Sequence, residues 1–214
     1  MLDSRLRGND EVNSFLEIPS KTTRQGMFMV QTPKIRITLE DFLASPASGT
    51  RCELIDGEIV PKVAPKRFHS KTQRALLRML ESWGENNGEI AVEWAVQLKR
   101  HGRDWVPVPD VSFVYHERLP DDLGDEACPV PVDLAVDIIS ANQTFGAMAE
   151  KAVDYIIAGV ARVWIVDPTA KTITVFKPDS LPITYRSDRT MADTHFPDLD
   201  LTPQHLFQQA GLLY

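Results

Sequence analysis

Hydrophobic positions along the chain switch between a period near 3.6 and a period of 2, and the switches mark out its elements. The first sustained pattern is Thr38-Leu39-Glu40-Asp41-Phe42-Leu43, where Thr38 and Asp41 make a capping-box-like start to a short helix that stops before Pro46. Arg51 to Val60 then reads as two short strands around Asp56-Gly57, a pair that tolerates the positive backbone angles of a two-residue hairpin turn. From Arg67 to Trp83, Phe68, Ala75, Leu76, Met79, Leu80 and Trp83 recur at the helical period and predict a core-facing stripe. Glu89 to Leu98 alternates, with Ile90, Val92, Trp94, Val96 and Leu98 on one side, and predicts one half-buried strand. A polar loop from Lys99 to Asp104 leads to Asp110-Val111-Ser112-Phe113-Val114-Tyr115, a strand entered through Pro107 and Pro109. Glu117 to Glu126 is acidic and without apolar period, as expected of a surface loop.

Val132 to Ser140 is apolar enough for a central strand, and Phe145 to Gly159 carries a helix pattern ended by glycine. Strands follow at Ala161–Asp167 and Lys171–Phe176, and Thr202-Pro203 opens a short C-terminal helix. This order predicts an α/β or α+β sheet protein with helices packed on the sheet, and a right-handed crossover between parallel strands from Val132 to Asp167. Residues 1–33 show no sustained period and read as a disordered extension, with Met27 and Met29 as alternative starts; residues 34–214 read as one domain.

Composition narrows the function classes. The chain has 214 residues, 43% hydrophobic and 25% charged, as in a soluble globular protein. No apolar run approaches a bilayer span and no signal segment is evident, so a cytoplasmic protein with no membrane partner is expected. Cys52 and Cys128 are too few for a disulfide framework or a thiolate zinc site. A formal charge of −7 argues against a general nucleic-acid coat, although a local basic patch is compatible with it.

Three ionisable residues stand where apolar elements have little structural use for them. Asp110 opens one strand, Asp137 lies inside another, and Lys151 shares a helical stripe with Met148 and Tyr155. Singly they read as a strand-entry residue, an edge-strand charge and a snorkelling lysine. Together they point to a metal site with a cationic helper, Asp110 and Asp137 being hard oxygen ligands suited to Mg2+ or Mn2+. Arg67, Lys71, Arg74 and Arg78 form a second, all-positive helix stripe, which reads either as a solvated face or as a contact for phosphate backbone. Of the five histidines only His69, at the start of that helix, is placed near a site, with a surface position as its alternative. No glycine-rich phosphate loop, dinucleotide fingerprint, paired-histidine zinc helix or nucleophile elbow is present, so no nucleotide cofactor is expected.

The segments Thr38–Leu43, Glu53–Val60, Pro109–Val114 and Leu134–Ser140, Lys151 with Tyr155, and Gly159-Val160 through Val163–Pro168 together resemble the Uma-two endonuclease family. That family belongs to the PD-(D/E)XK superfamily. The resemblance spans about Ile35 to Phe207 and implies a restriction-endonuclease-like mixed sheet flanked by helices. It also implies a magnesium-dependent nuclease acting on DNA, with a homodimer as the usual arrangement for double-strand cleavage. Asp110 would be the first metal-binding aspartate, Asp137 the second acidic ligand, Lys151 the catalytic lysine and Glu53 the upstream glutamate. Two departures stand out: Asp137 replaces the family's usual glutamate, and Ile139 stands where the superfamily's lysine usually follows the second acid, so that role passes to Lys151. Two functions are carried forward, a metal-dependent DNA endonuclease and a catalytically silent protein that binds nucleic acid or protein with the same fold.

Overall fold

A computed structural model of the chain describes residues 36–84 and 86–213; the expected N-terminal extension lies outside them. Helix α1 (Leu39–Ala44) is capped as its sequence requires, with Asp41 N–H donating to Thr38 Oγ1 at 3.1 Å and the Thr38 hydroxyl donating to Asp41. Strands β1 (Cys52–Ile55) and β2 (Glu58–Pro61) pair across Asp56-Gly57, whose φ values are +52° and +80°. Helix α2 (Arg67–Gly84) buries His69, Thr72, Ala75, Leu76 and Leu80 on one face. Phe68 departs from expectation: it is half exposed, one residue off that face, with Arg67 and Lys171 stacked on its ring.

The single strand expected from Glu89 to Leu98 is broken. Strand β3 (Gly88–Val92) ends where Glu93 takes φ +54° and pairs with Arg51, leaving Val92 half exposed. Beyond the break, β4 (Leu98–Arg100) and β5 (Arg103–Trp105) form a small hairpin in place of the expected loop, turning at His101-Gly102, both at positive φ. Strands β6 (Val111–Tyr115) and β7 (Leu134–Ile138), helix α3 (Phe145–Ile157), strands β8 (Arg162–Asp167) and β9 (Thr172–Phe176), strand β10 (Ile183–Arg186) and helix α4 (Pro203–Gln209) complete the fold. The six-stranded sheet runs β10-β9-β8-β7-β6-β3. Its β7 and β8 are parallel and joined through α3, as the crossover predicts, and every other neighbouring pair is antiparallel.

The two sheet faces have separate cores. Leu134, Val136 and Ile138 of β7 pack with α2 and α4, while the intervening Ala135 packs with Met148, Ala152 and Tyr155 of α3. Strand alternation therefore turns Asp137 to the α3 side. Residues 187–201 show no period in sequence because they form no regular element, yet Met191, Phe196, Leu199 and Leu201 are buried against the sheet. Polar ties hold that segment: Arg162 binds Asp193 through two nitrogens, and His195 Nε2 lies 3.0 Å from the buried Asp133 carboxylate.

Gly88 begins β3 where the backbone approaches β6 closely. A Cβ there would come within 2.2 Å of the Val114 carbonyl and 2.5 Å of the Phe113 ring. Gly88→Ala should lower unfolding free energy by about 1–3 kcal/mol with an unchanged urea m-value. An unchanged midpoint would contradict this packing of β3 on β6.

Candidate active site

Asp110 owes its position to the prolines before it. Val106 exchanges backbone hydrogen bonds with Leu54 of β1, Pro107 and Pro109 offer no N–H to a ladder, and Asp110 N–H donates to the Val136 carbonyl at 2.8 Å. The whole stretch Trp105–Asp110 is buried. Three groups from distant parts of the chain meet at the Asp110 carboxylate. Oδ1 accepts from Lys62 Nζ at 2.8 Å, while Oδ2 accepts from Ile138 N–H at 2.7 Å and faces His69 Nε2 at 3.0 Å. Burial alone would raise the pKa of this group. The hydrogen bond from His69 and the charge of Lys62 outweigh it and hold Asp110 far below the usual carboxylate range. Since Asp110 stays ionised, His69 Nε2 carries the proton of the shared bond. Gln73, one turn after His69, donates to the Asp110 carbonyl at 2.9 Å and fixes the backbone of the same residue.

Asp137, 2% exposed in a strand buried at every position, is compensated from α3. Lys151 Nζ lies 3.2 Å from Asp137 Oδ2 and 2.9 Å from Glu53 Oε1. The ammonium is off the hydrogen-bond line to Asp137, whose Oδ2 is buried without a hydrogen-bond partner among the described residues. Burial, with Asp110 and Glu53 nearby, raises the Asp137 pKa against the pull of Lys151 and Lys62. Burial opposes charge on Lys151, but Asp137, Tyr155 and Glu53 outweigh it, so the lysine is held protonated. The Tyr155 ring lies 5.5 Å from the ammonium, and its buried hydroxyl has no hydrogen-bond partner among the described residues. Glu53 also accepts from Val108 N–H at 3.1 Å, so one carboxylate ties the Asp110 approach to Lys151.

These groups line a cavity of about 230 Å³ that includes Glu53, Lys62, His69, Asp110, Asp137 and Lys151. A larger hollow of about 630 Å³ lies beside Trp94, but none of its lining residues is buried, so the clustered charge rather than the volume marks the site. Among the described residues no three histidine, cysteine, aspartate or glutamate side chains converge as a metal cage. Three carboxylates, Glu53, Asp110 and Asp137, line the cavity, and hard oxygen donors of this kind suit a cation that keeps several waters better than they suit zinc.

Glu53, His69, Asp110, Asp137 and Lys151 are thus brought together. The alternative that His69 is a surface residue is overturned: it is 5% exposed, because it lies three residues from Thr72 and seven from Leu76 on the buried face of α2. That spacing was the available signal. Arg67, Arg74 and Arg78 are exposed and Lys71 is half buried, on the side of α2 away from His69 and Gln73. Lys62 and Gln73 were not singled out by sequence. Lys62 sits in an aperiodic run between β2 and α2, where nothing in the pattern marks one lysine from another.

The family described as "Uma2: Putative restriction endonuclease" matches residues 39–205. Among solved structures, the fold is similar to that of "a putative nuclease belonging to DUF820 from Anabaena variabilis ATCC 29413", with a TM-score of 0.71 and 23% identity over 81% of this chain and 99% of that one. That likeness bears out the expected mixed sheet flanked by helices. No curated protein matches the chain.

The charge balance predicts a stability pattern at neutral pH. Lys151→Met should cost about 2 kcal/mol or more, since it leaves a buried carboxylate without its cation. Asp137→Asn, which keeps the size and removes the charge, should be no less stable than wild type in chelator, and should restore most of the loss when combined with Lys151→Met. Chemical denaturation of the four proteins checks this, and additive losses would show that the pair is not coupled.

Proposed function

The chain belongs to the Uma2 family, and on that premise we propose that it is a metal-dependent endonuclease hydrolysing DNA phosphodiester bonds. One observation carries the reading: Asp110, immediately before β6, and Asp137, inside β7, meet Lys151 in one cavity, with the lysine 3.2 Å from the second acid. Asp110 and Asp137 would hold Mg2+ or Mn2+. Bound there, the cation would lower the pKa of water and offset charge growing on the phosphate. His69 and the Ile138 N–H keep Asp110 ionised and oriented. Lys151, steadied by Glu53 and Tyr155, would orient the attacking water and neutralise the phosphate as the new P–O bond forms and the bond to the sugar oxygen breaks. Asp137 is one methylene shorter than glutamate, and its Oδ2 faces the Lys151 ammonium at 3.2 Å.

A silent binding protein is the second reading, because both carboxylates already have ammonium partners and so have a structural reason to be buried. For either reading the exposed Arg67, Arg74 and Arg78, with Lys71, are the proposed contact for phosphate backbone. Since they face away from His69, they would hold duplex beside the site rather than in it. A homodimer would supply two sites for the two strands.

Plasmid nicking separates the readings. Wild type should nick supercoiled DNA with Mg2+ or Mn2+ and not in chelator, while Asp110→Ala and Lys151→Met should lose at least about 100-fold in rate. Activity retained in Asp110→Ala, or no activity in wild type, would favour the silent protein.

The basic stripe is tested by salt. Replacing one of its four residues should weaken DNA binding and reduce the slope of log affinity against log salt by about one unit per lost contact. An unchanged slope after replacing all four would leave the stripe a solvated face.

A further inference from the structure

Of the two lysines that line this cavity among the described residues, Lys151 stands on α3 and Lys62 on irregular backbone. It follows β2 in the segment Lys62–Lys66, outside any helix or strand, and neighbouring Val60 and Val63 are exposed. Its own N–H is fixed to the Arg51 carbonyl at 2.8 Å, so the side chain enters the cavity from an anchored root. There Nζ donates to the Val108 carbonyl at 2.7 Å and to Asp110 Oδ1 at 2.8 Å.

The two oxygens of Asp110 are not equivalent. Oδ2 is held by two groups, the backbone N–H of a central strand, which cannot withdraw without moving β7, and a buried histidine. Oδ1 has Lys62 as its partner, on a flexible four-carbon stem. If Asp110 gives an oxygen to a cation, Oδ1 is the one that can be freed, and the lysine is the group that moves.

We propose that Lys62 is a second working lysine of this site, whose ammonium holds Asp110 Oδ1, yields that oxygen to a divalent cation, and turns to a nonbridging oxygen of the scissile phosphate. The proposal rests on the metal-dependent nuclease reading. It gives the two lysines different tasks. Lys151 stays with Asp137 and Glu53, while Lys62 exchanges a carboxylate for the substrate. A lysine that only braced Asp110 would behave differently, because its loss would disorder the ligand and weaken metal binding.

The test is a Mn2+ titration of wild type, Lys62→Met and Lys62→Arg, read by thermal shift, together with single-turnover nicking at saturating Mn2+. Removing a competing positive charge should lower the half-saturating Mn2+ concentration of Lys62→Met by about threefold or more. Cleavage at saturation should nevertheless slow by about tenfold or more. Lys62→Arg keeps the charge and should keep wild-type Mn2+ affinity and most of the cleavage rate. If Lys62→Met does not fold, Lys62→Gln, which retains a donor for Val108 and Asp110 without the charge, serves the same comparison. Unchanged or weaker Mn2+ affinity in a folded neutral variant overturns the proposal while leaving the nuclease reading intact. Absence of any Mn2+ response or cleavage in wild type overturns the nuclease reading and the role of Lys62 with it.

Discussion

Charge buried in a sheet has to be answered from close by, and the centre of this protein is arranged around that constraint. Asp137 lies in a strand with no exposed residue, where an ionised carboxylate without a partner would cost several kcal/mol. The answer comes from α3, which the crossover between the parallel β7 and β8 lays over the face to which Asp137 points. Lys151 sits where the helix passes that face, and Glu53 and Tyr155 keep its ammonium from leaving. Asp110 is answered from the opposite side, by His69 of α2 and by Lys62. Each carboxylate thus draws its compensation from a different part of the chain, and both line the same cavity.

The small β1–β2 hairpin has a larger role than its size suggests. Its backbone bridge to Val106 and the Glu53 bond to Val108 N–H fix the proline-bounded stretch that delivers Asp110. The same Glu53 oxygen holds Lys151. Loss of Glu53 would therefore loosen both halves of the site at once, which distinguishes its position from that of a solvent-facing acid.

Sequence made much of this legible, and the misses have physical causes. A carboxylate opening one apolar strand and another inside a second singled out Asp110 and Asp137, because burial of charge is costly enough to be noticed in a pattern. The stripe shared by Met148, Lys151 and Tyr155 identified the lysine, and the crossover length identified β7-α3-β8. What periodicity could not carry were breaks and coils. Glu93 turns the chain through a positive φ in the middle of an otherwise clean alternation, and residues 187–201 bury apolar side chains from irregular backbone. Lys62 was hidden for a third reason, since its importance depends on a contact with Asp110, 48 residues away, and no local pattern encodes that.

The central claim is that Asp110 and Asp137 form one cation site. Scanning calorimetry of wild type and Asp137→Ala, each in chelator and with Mn2+, tests it most directly, because a cation that binds the folded chain raises its melting temperature. The account predicts a metal-dependent rise in wild type that is lost in Asp137→Ala and kept in Asp137→Glu. An equal rise in wild type and Asp137→Ala would contradict it.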